Sequence, residues 1–282
     1  MVSLIRRNLI LFFGQKSNVF FSLLGAVIAF VLYLVFLKHN MEQSFPARYG
    51  VDWLDPWIIG GTLTITAITT TLSALGQQVV DQENGMLADL AMTRLSIWQI
   101  RLGYGVSAVV IGWSMQLAVG LIMYTGFAWS DGITIPWNQL PLALAISGFS
   151  SLLWTSFNLL CLTGIHHQAT LGSWGTVVGT AAGFFAGVYL PMGSLPSAAQ
   201  TLMKLTPAPY NAALYRQVLL HHQLNQSSNN ATVTNFLGIR ITLDHVLSTP
   251  LTWLLLTGFG AGCLGLALLL TQHQRQTVLI RH

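Results

Sequence analysis

Residues 183–209 read GFFAGVYLPMGSLPSAAQTLMKLTPAP. A glycine-spaced apolar run ends at Leu190, and Pro191 and Pro196 bracket a short Met-Gly-Ser-Leu segment. A second apolar piece follows and breaks again at Pro207 and Pro209. Proline removes a backbone donor and stops a helix, so the stretch predicts a hydrophobic helix that halts, dips and restarts. Irregular backbone at membrane depth survives only where protein or a water-filled cavity satisfies its amides. The stretch is therefore expected at the outer end of a path through the molecule.

Composition supports a membrane setting. Apolar residues make up 53% of the 282-residue chain and charged residues 7%, against about a quarter charged in ordinary soluble domains. That length accommodates six or seven spans of about 20 residues each. Cys161 and Cys263 both sit in apolar runs and read as small core residues, neither a disulfide nor a metal pair. No metal site and no nucleic-acid-binding pattern is expected.

Outward from the opening stretch, apolar runs predict spans at about 17–37, 56–80, 102–127, 138–162, 169–190 and 249–271 within a single transmembrane domain covering 1–282. Residues 1–16 carry Arg6, Arg7 and Lys16, with Val2, Ile5, Leu9 and Phe12 at helical spacing. This suits an amphipathic interface helix. Positive charge before an apolar run also suits a signal peptide. The uncharged run Ser17 to Leu37 is longer than a signal core and no small-x-small cleavage site follows it, which favours an uncleaved first span. The second span is rich in hydroxyls, among them Thr62, Thr66 and Thr69. Threonine bonds its own helix backbone and packs between spans; the alternative is a polar stripe along a pathway. Residues 81–101 hold the densest mixed charge, and 191–248 form an outer re-entrant segment and a loop that looks exposed over Asn225 to Asn235. With both termini inside, Arg6, Arg7, Lys16, Arg94, Arg101, Arg275 and Arg281 face the cytoplasm, seven of the 12 Lys and Arg. The longer outer segments hold the other five, a modest positive-inside bias. No acidic or basic residue falls inside the predicted spans, which argues against a proton- or ion-driven relay.

In the fifth span Gly175, Gly179, Gly183 and Gly187 follow one another at intervals of four. Such a row lies near one helix face and favours close packing with another helix, either a span of this chain or a second copy. Phe184, Phe185 and Tyr189 add aromatic bulk at its outer end.

These residues resemble the permease subunits of type-2 ATP-binding-cassette (ABC) exporters. The likeness rests on Gly187-Val-Tyr-Leu-Pro-Met-Gly-Ser-Leu-Pro196, on Leu205-Thr-Pro-Ala-Pro-Tyr210 with Arg216, and on Asp81-Gln-Glu-Asn-Gly-Met-Leu-Ala-Asp-Leu90 after the second span. Six spans behind an amphipathic amino-terminal helix also match. Two departures stand out: Thr93-Arg94-Leu95 where the family usually has Thr-Pro, and Thr206 where asparagine is usual. The resemblance implies an all-α polytopic membrane protein with six transmembrane helices and a re-entrant helical segment after the fifth. It implies two permease copies, or one with a paralogue, working in the bilayer of a bacterial cell membrane with cytoplasmic ABC ATPase subunits. ATPase coupling would fall to Asp81, Glu83, Gly85, Met86, Leu87, Asp89, Leu90 and Arg94, with the amino-terminal helix as a second contact. The path and its lid would use Thr62, Thr66, Thr69, Phe184, Phe185, Tyr189, Leu190, Pro191, Leu195 and Pro196.

The chain has no Gly-x-x-x-x-Gly-Lys-[Ser/Thr] loop. No cofactor is expected on it; ATP and Mg would belong to the partner ATPase. Two other classes remain open, a structural membrane subunit and an intramembrane enzyme in which His166 or His167 serves Ser150 or Ser151. Neither a Gly-x-Gly-Asp nor a His-Glu-x-x-His pattern supports the enzyme. A neutral, hydroxyl-rich and aromatic path suits drugs, lipids, lipid-linked glycans or apolar peptides.

Overall fold

The computed structural model describes residues 1–44, 51–92, 96–133, 137–226, 231–242 and 247–280. No strand forms among them. In chain order the helices are α1 (Val2–Gly14), α2 (Lys16–Leu32), α3 (Lys38–Ser44), α4 (Val51–Glu83), α5 (Met86–Ala91), α6 (Ile97–Asp131), α7 (Leu140–Leu162), α8 (Gln168–Phe185), α9 (Ser197–Lys204), α10 (Ala208–Leu219), α11 (His221–Gln226), α12 (Ala231–Phe236) and α13 (Thr249–Ile280). A single π-helical turn, Tyr33–Leu37, joins α2 to α3. Among the described residues, five segments are long and apolar enough to cross a membrane: Lys16–Met41, Asp52–Glu83, Trp98–Asp131, Trp137–Leu162 and Thr249–Leu270. The expected fifth span is the 18-residue α8, whose glycines and threonines leave it less apolar than those five.

Local signals account for several ends. Ser96 and Gln99 form a capping box at the start of α6, and Gly132, at φ +70°, closes its end. The second span was expected to open at Pro56, yet α4 starts at Val51 with Pro56 inside it. Proline cannot donate to the carbonyl four residues back, here Asp52, and the Gln223 side chain donates to that oxygen at 3.1 Å. The replaced bond lets the helix run through the proline.

Helix α4 is the axle of the bundle. Its most apolar window is 89% buried, against 22% in the first span and 17% in the last, and it packs on α2, α6, α7, α8 and α10. Its hydroxyls tolerate that burial because Thr64, Thr66, Thr70 and Thr71 each donate to the carbonyl four residues earlier. Asn158 Nδ2 of α7 donates to Ile68 O and Thr71 Oγ1 at 3.1 and 2.9 Å. Helix α10, expected within an outer polar segment, is instead core: Ser150 Oγ and Trp154 Nε1 both donate to Asn211 Oδ1, at 2.7 and 2.9 Å.

Charge does enter the helices, at their ends, because α4 extends beyond both expected limits. Asp55 is fully buried, accepts from Tyr33 Oη at 2.6 Å and pairs with Lys38 at 3.4 Å. Lys38 also pairs with Asp131 at 2.6 Å, so α3, α4 and α6 share one cluster. Cys161 and Cys263 are free thiols.

Candidate functional site

A cavity of about 770 Å³ lies between α2, α4 and α8. Missing side chains make much of it: at Gly172, Gly175 and Gly179 an added Cβ would have nothing within 4 Å, and all three line the space. The α2 backbone approaches α8 closely, since a Cβ on Gly25 would lie 3.7 Å from Gly179 O. Hydroxyl and amide groups come from all three helices, with Ser22 on α2, Thr69, Ser73 and Gln77 on α4, and Thr176 and Thr180 on α8. No charged side chain is among the described lining residues. The hydroxyl proton of Thr69 is already taken, for its Oγ1 donates to Ser22 O at 2.6 Å and contacts Ile65 O at 3.0 Å, which leaves it as an acceptor.

The predicted path residues divide. Thr69 and Tyr189 line the groove. Thr62 and Thr66 are fully buried and sit behind its wall. Phe184 is exposed and packs edge-on against Tyr189 with ring centroids 5.0 Å apart, whereas Phe185 turns toward the core. The Tyr189 ring occupies the place of a Gly183 side chain, whose Cβ would lie 2.2 Å from Cζ. Of the glycine row, then, two members widen the groove and one seats the aromatic at its end.

Beyond that ring the chain breaks as the prolines require. Val188 N donates to Gly183 O at 3.1 Å and Gly187 N to Phe184 O at 3.0 Å, with Gly187 at φ +62°. This is a Schellman ending, and it needs a residue free to adopt positive φ. Leu190 is exposed and Pro191 buried; a single 3-10 turn, Met192–Ser194, separates Pro191 from the half-buried Leu195 and the exposed Pro196. Two carbonyls past the end of α8 are taken by Arg216 of α10, whose Nη2 donates to Ala186 O and Gly187 O, each at 3.0 Å. The same guanidinium donates to Trp57 O at 3.2 Å and Leu237 O at 3.3 Å and lies over the Trp57 ring at 4.8 Å. It is 2% exposed. Carbonyl dipoles at a helix end favour a cation, so the buried charge is satisfied by backbone carbonyl oxygens.

The sequence marked Arg216 only as the end of a motif and did not suggest this role. The readable signal was the pair Gly60-Gly61. A Cβ on Gly61 would lie 2.3 Å from Val188 Cγ2 and 2.9 Å from Arg216 Nη2, and one on Gly60 would lie 3.0 Å from Arg216 Cγ.

At the opposite end of α4 a second clasp forms. Asp81, 3% exposed, accepts from Arg7 Nη1 at 2.7 Å and Nη2 at 3.0 Å, from Gln77 Nε2 at 2.8 Å and from Tyr104 Oη. The bidentate bond raises the Arg7 pKa above its ordinary value. Helix α1 adds Leu4 and Phe12 to the core and Asn8 Nδ2, which donates to Ser107 Oγ at 3.3 Å. Glu83 faces the start of α8: its Oε2 accepts from Gln168 N at 2.9 Å, and its Oε1 lies 3.5 Å from His167 Nδ1. Gly85, at φ +77°, makes the turn into α5. There Leu87 and Leu90 pack partly buried, while Met86 and Asp89 are exposed. Arg94 lies outside the described residues.

The proposed hydrolytic pairing has no geometric support. Ser151 on α7 accepts from Gln116 Nε2 at 2.7 Å, while His166 lies beyond the end of that helix and contacts Gln82 Nε2 at 3.0 Å. Ser151 lies about 16 Å of helical rise before the end of α7, and His166 lies past that end.

A family model described as ABC-2 type transporter matches residues 1–220, the portion holding α1 through α10, the groove, the Asp81 clasp and Arg216. No curated protein matches the chain.

Proposed function

Because the chain belongs to the ABC-2 type transporter family, and so is a transporter membrane subunit, we propose that it forms the path of an exporter for neutral amphipathic molecules. A separate chain would supply ATP hydrolysis. The uncharged groove between α2, α4 and α8, ending at Tyr189 and the proline-broken segment, carries this reading. Hydroxyls already bonded to backbone leave a mildly polar wall that discriminates by shape more than by charge. Lipids, lipid-linked glycans, apolar peptides and drugs, the last as in multidrug resistance, all fit that chemistry.

On this reading α1 and α5 face the cytoplasm of a bacterial cell, both termini lie inside and the re-entrant segment faces out. Helix α8, about 27 Å long at about 1.5 Å per residue, completes a sixth crossing of a hydrocarbon core about 30 Å thick. Exposed Met86 and Asp89 offer an ATPase partner one apolar and one charged contact, while Asp81 and Glu83 pass its movement to α1 and α8. A second permease copy or a paralogue would close the open side of the groove along Gly175 and Gly179.

The test is ATP hydrolysis by the permease reconstituted with its ATPase, measured across a panel of neutral, cationic and anionic amphipaths. Stimulation by neutral compounds is expected. Stimulation confined to charged compounds, or none across the panel while the complex hydrolyses ATP, contradicts the proposed cargo.

A further inference from the structure

The hydroxyls lining the groove between α2, α4 and α8 are short of protons. Thr69 Oγ1 donates to Ser22 O at 2.6 Å, Thr176 Oγ1 to Gly172 O at 3.1 Å and Thr180 Oγ1 to Thr176 O at 2.9 Å. A hydroxyl used in this way still offers lone pairs, so this stretch of wall accepts hydrogen bonds more readily than it donates them.

The end toward Asp81 differs again. Ser73 and Gln77 line it, one turn apart on the same face of α4 and about 6 Å along its axis. Asp81, paired with Arg7, can only accept, so the atom of Gln77 that meets it at 2.8 Å is Nε2, and Oε1 is left over. Neither Gln77 Oε1 nor Ser73 Oγ has a hydrogen-bond partner among the described residues. Both side chains are half-buried, and neither atom is among those sealed from solvent. The other end is apolar. Thr69 meets Ser22 and a Cβ on Gly25 would lie 3.3 Å from Ile65 Cγ2, so α2 runs antiparallel to α4. That register sets Leu24 and Ile28 on the side of Tyr189, away from Ser73 and Gln77. From Gly172 to Gly183, where the Tyr189 ring seats, α8 rises about 16 Å.

Resting on the reading of this groove as the cargo path, we propose that it selects neutral amphipaths whose polar head donates hydrogen bonds, a vicinal diol being the simplest. One head hydroxyl donates to Gln77 Oε1, the next meets Ser73 Oγ, and the apolar chain runs past Leu24 and Ile28 toward Tyr189. Ser73 and Gln77 are then the residues that set specificity. An ether or ester head brings only acceptors to a wall already rich in them and leaves Gln77 Oε1 dry and unpaired, which is costly. A charged head finds no counter-charge among the described lining residues and loses its hydration without one.

Dodecylglycerol ether and its dimethyl ether test it, for they carry the same oxygens and the same chain, and only the first can donate. Equilibrium binding of each, tritium-labelled, is measured on the permease–ATPase complex in neutral detergent without nucleotide. Groove binding is the part that Gly179→Leu removes. The diol should bind about tenfold more tightly than the diether, the scale of one hydrogen bond left unmade. Gln77→Met, which keeps the size and removes the oxygen, should bring the two within about twofold of each other. A wild-type melting midpoint certifies that the variant is folded; Ser73→Ala, which should narrow the same gap, serves if Gln77→Met does not fold. Equal binding of both probes, lost with Gly179→Leu, keeps the groove as the path and overturns the proposal alone. A preference for the diol that persists unchanged in the folded variants is one of size and overturns it too. Binding of both probes that Gly179→Leu leaves untouched overturns the path, and the proposal with it.

Discussion

Arg216 Nη2 donates to both Ala186 O and Gly187 O at 3.0 Å, so one side chain of α10 closes the broken end of α8. Arg216→Met keeps bulk but strands Ala186 O and Gly187 O in a dry joint, while Leu237 O keeps the bond from Trp57 Nε1. The expected loss is about 3 kcal/mol of stability, the scale of a buried charged hydrogen-bond set left unpaired. Arg216→Lys should recover only part of it, because an ammonium cannot span Trp57, Leu237 and the α8 end together. Thermal melting in detergent measures both, and wild-type midpoints would show that the joint holds without the guanidinium.

Gly61→Ala probes the same joint from the other side. Its Cβ would enter the space of Val188 Cγ2 at 2.3 Å, and overpacking of this kind costs about 1–3 kcal/mol. Gly14→Ala, where nothing lies within 4 Å, is the control on which the midpoint should not fall.

Much of this was readable from residues alone, and what was not has a physical cause. Proline spacing located the break after α8, while the four-residue glycine spacing, expected to pack closely on another helix, at Gly175 and Gly179 borders open space instead. Charge density located α5. By contrast, the burial of α10 depends on Asn211 and Arg216 meeting groups from α4, α7 and the end of α8, distant in sequence. Their polar character argues for exposure until those partners are in place. The start of α4 was misread because Pro56 normally ends a helix, and the compensating donor, Gln223, is far along the chain. Thr62, Thr66 and Thr69 share one span, yet only the neighbours of α4 decide which of them reaches the groove.

The clasp at Asp81 should transmit motion rather than hold the fold alone. Asp81→Asn removes the charge that Arg7 meets bidentately and should loosen α1, read as faster amide exchange over Val2–Gly14, while α6 and α7 keep their protection. The raised Arg7 pKa means that its contribution is fully present below the ordinary arginine value and is lost only as pH rises through the higher folded value. Protection over α1, taken relative to the intrinsic exchange rate at each pH, should therefore be insensitive to mild alkali. A fall in that protection between neutral and mildly alkaline pH would contradict the assignment.

Gly85→Ala forces a side chain into the positive-φ turn before α5, a strain of about 1–2 kcal/mol at an exposed site with open space around it. Glu83→Gln weakens the cap on α8 without altering size. Both variants should assemble with the ATPase and hydrolyse ATP, with transport per ATP reduced. Transport per ATP equal to wild type in both would remove Glu83 and Gly85 from the coupling route.

Cargo is proposed to pass along the α2–α4–α8 groove, and Gly179→Leu would fill it. The site has open space for a side chain, so folding should survive while the groove fills. The measurement is ATP-driven movement of a neutral amphipath that stimulates the wild-type complex, across proteoliposomes holding permease and ATPase, with hydrolysis recorded in the same sample. Transport should fall by about tenfold or more, as when a ligand site loses about 1.4 kcal/mol of affinity, with basal hydrolysis unchanged. Wild-type transport by a folded Gly179→Leu permease would contradict it.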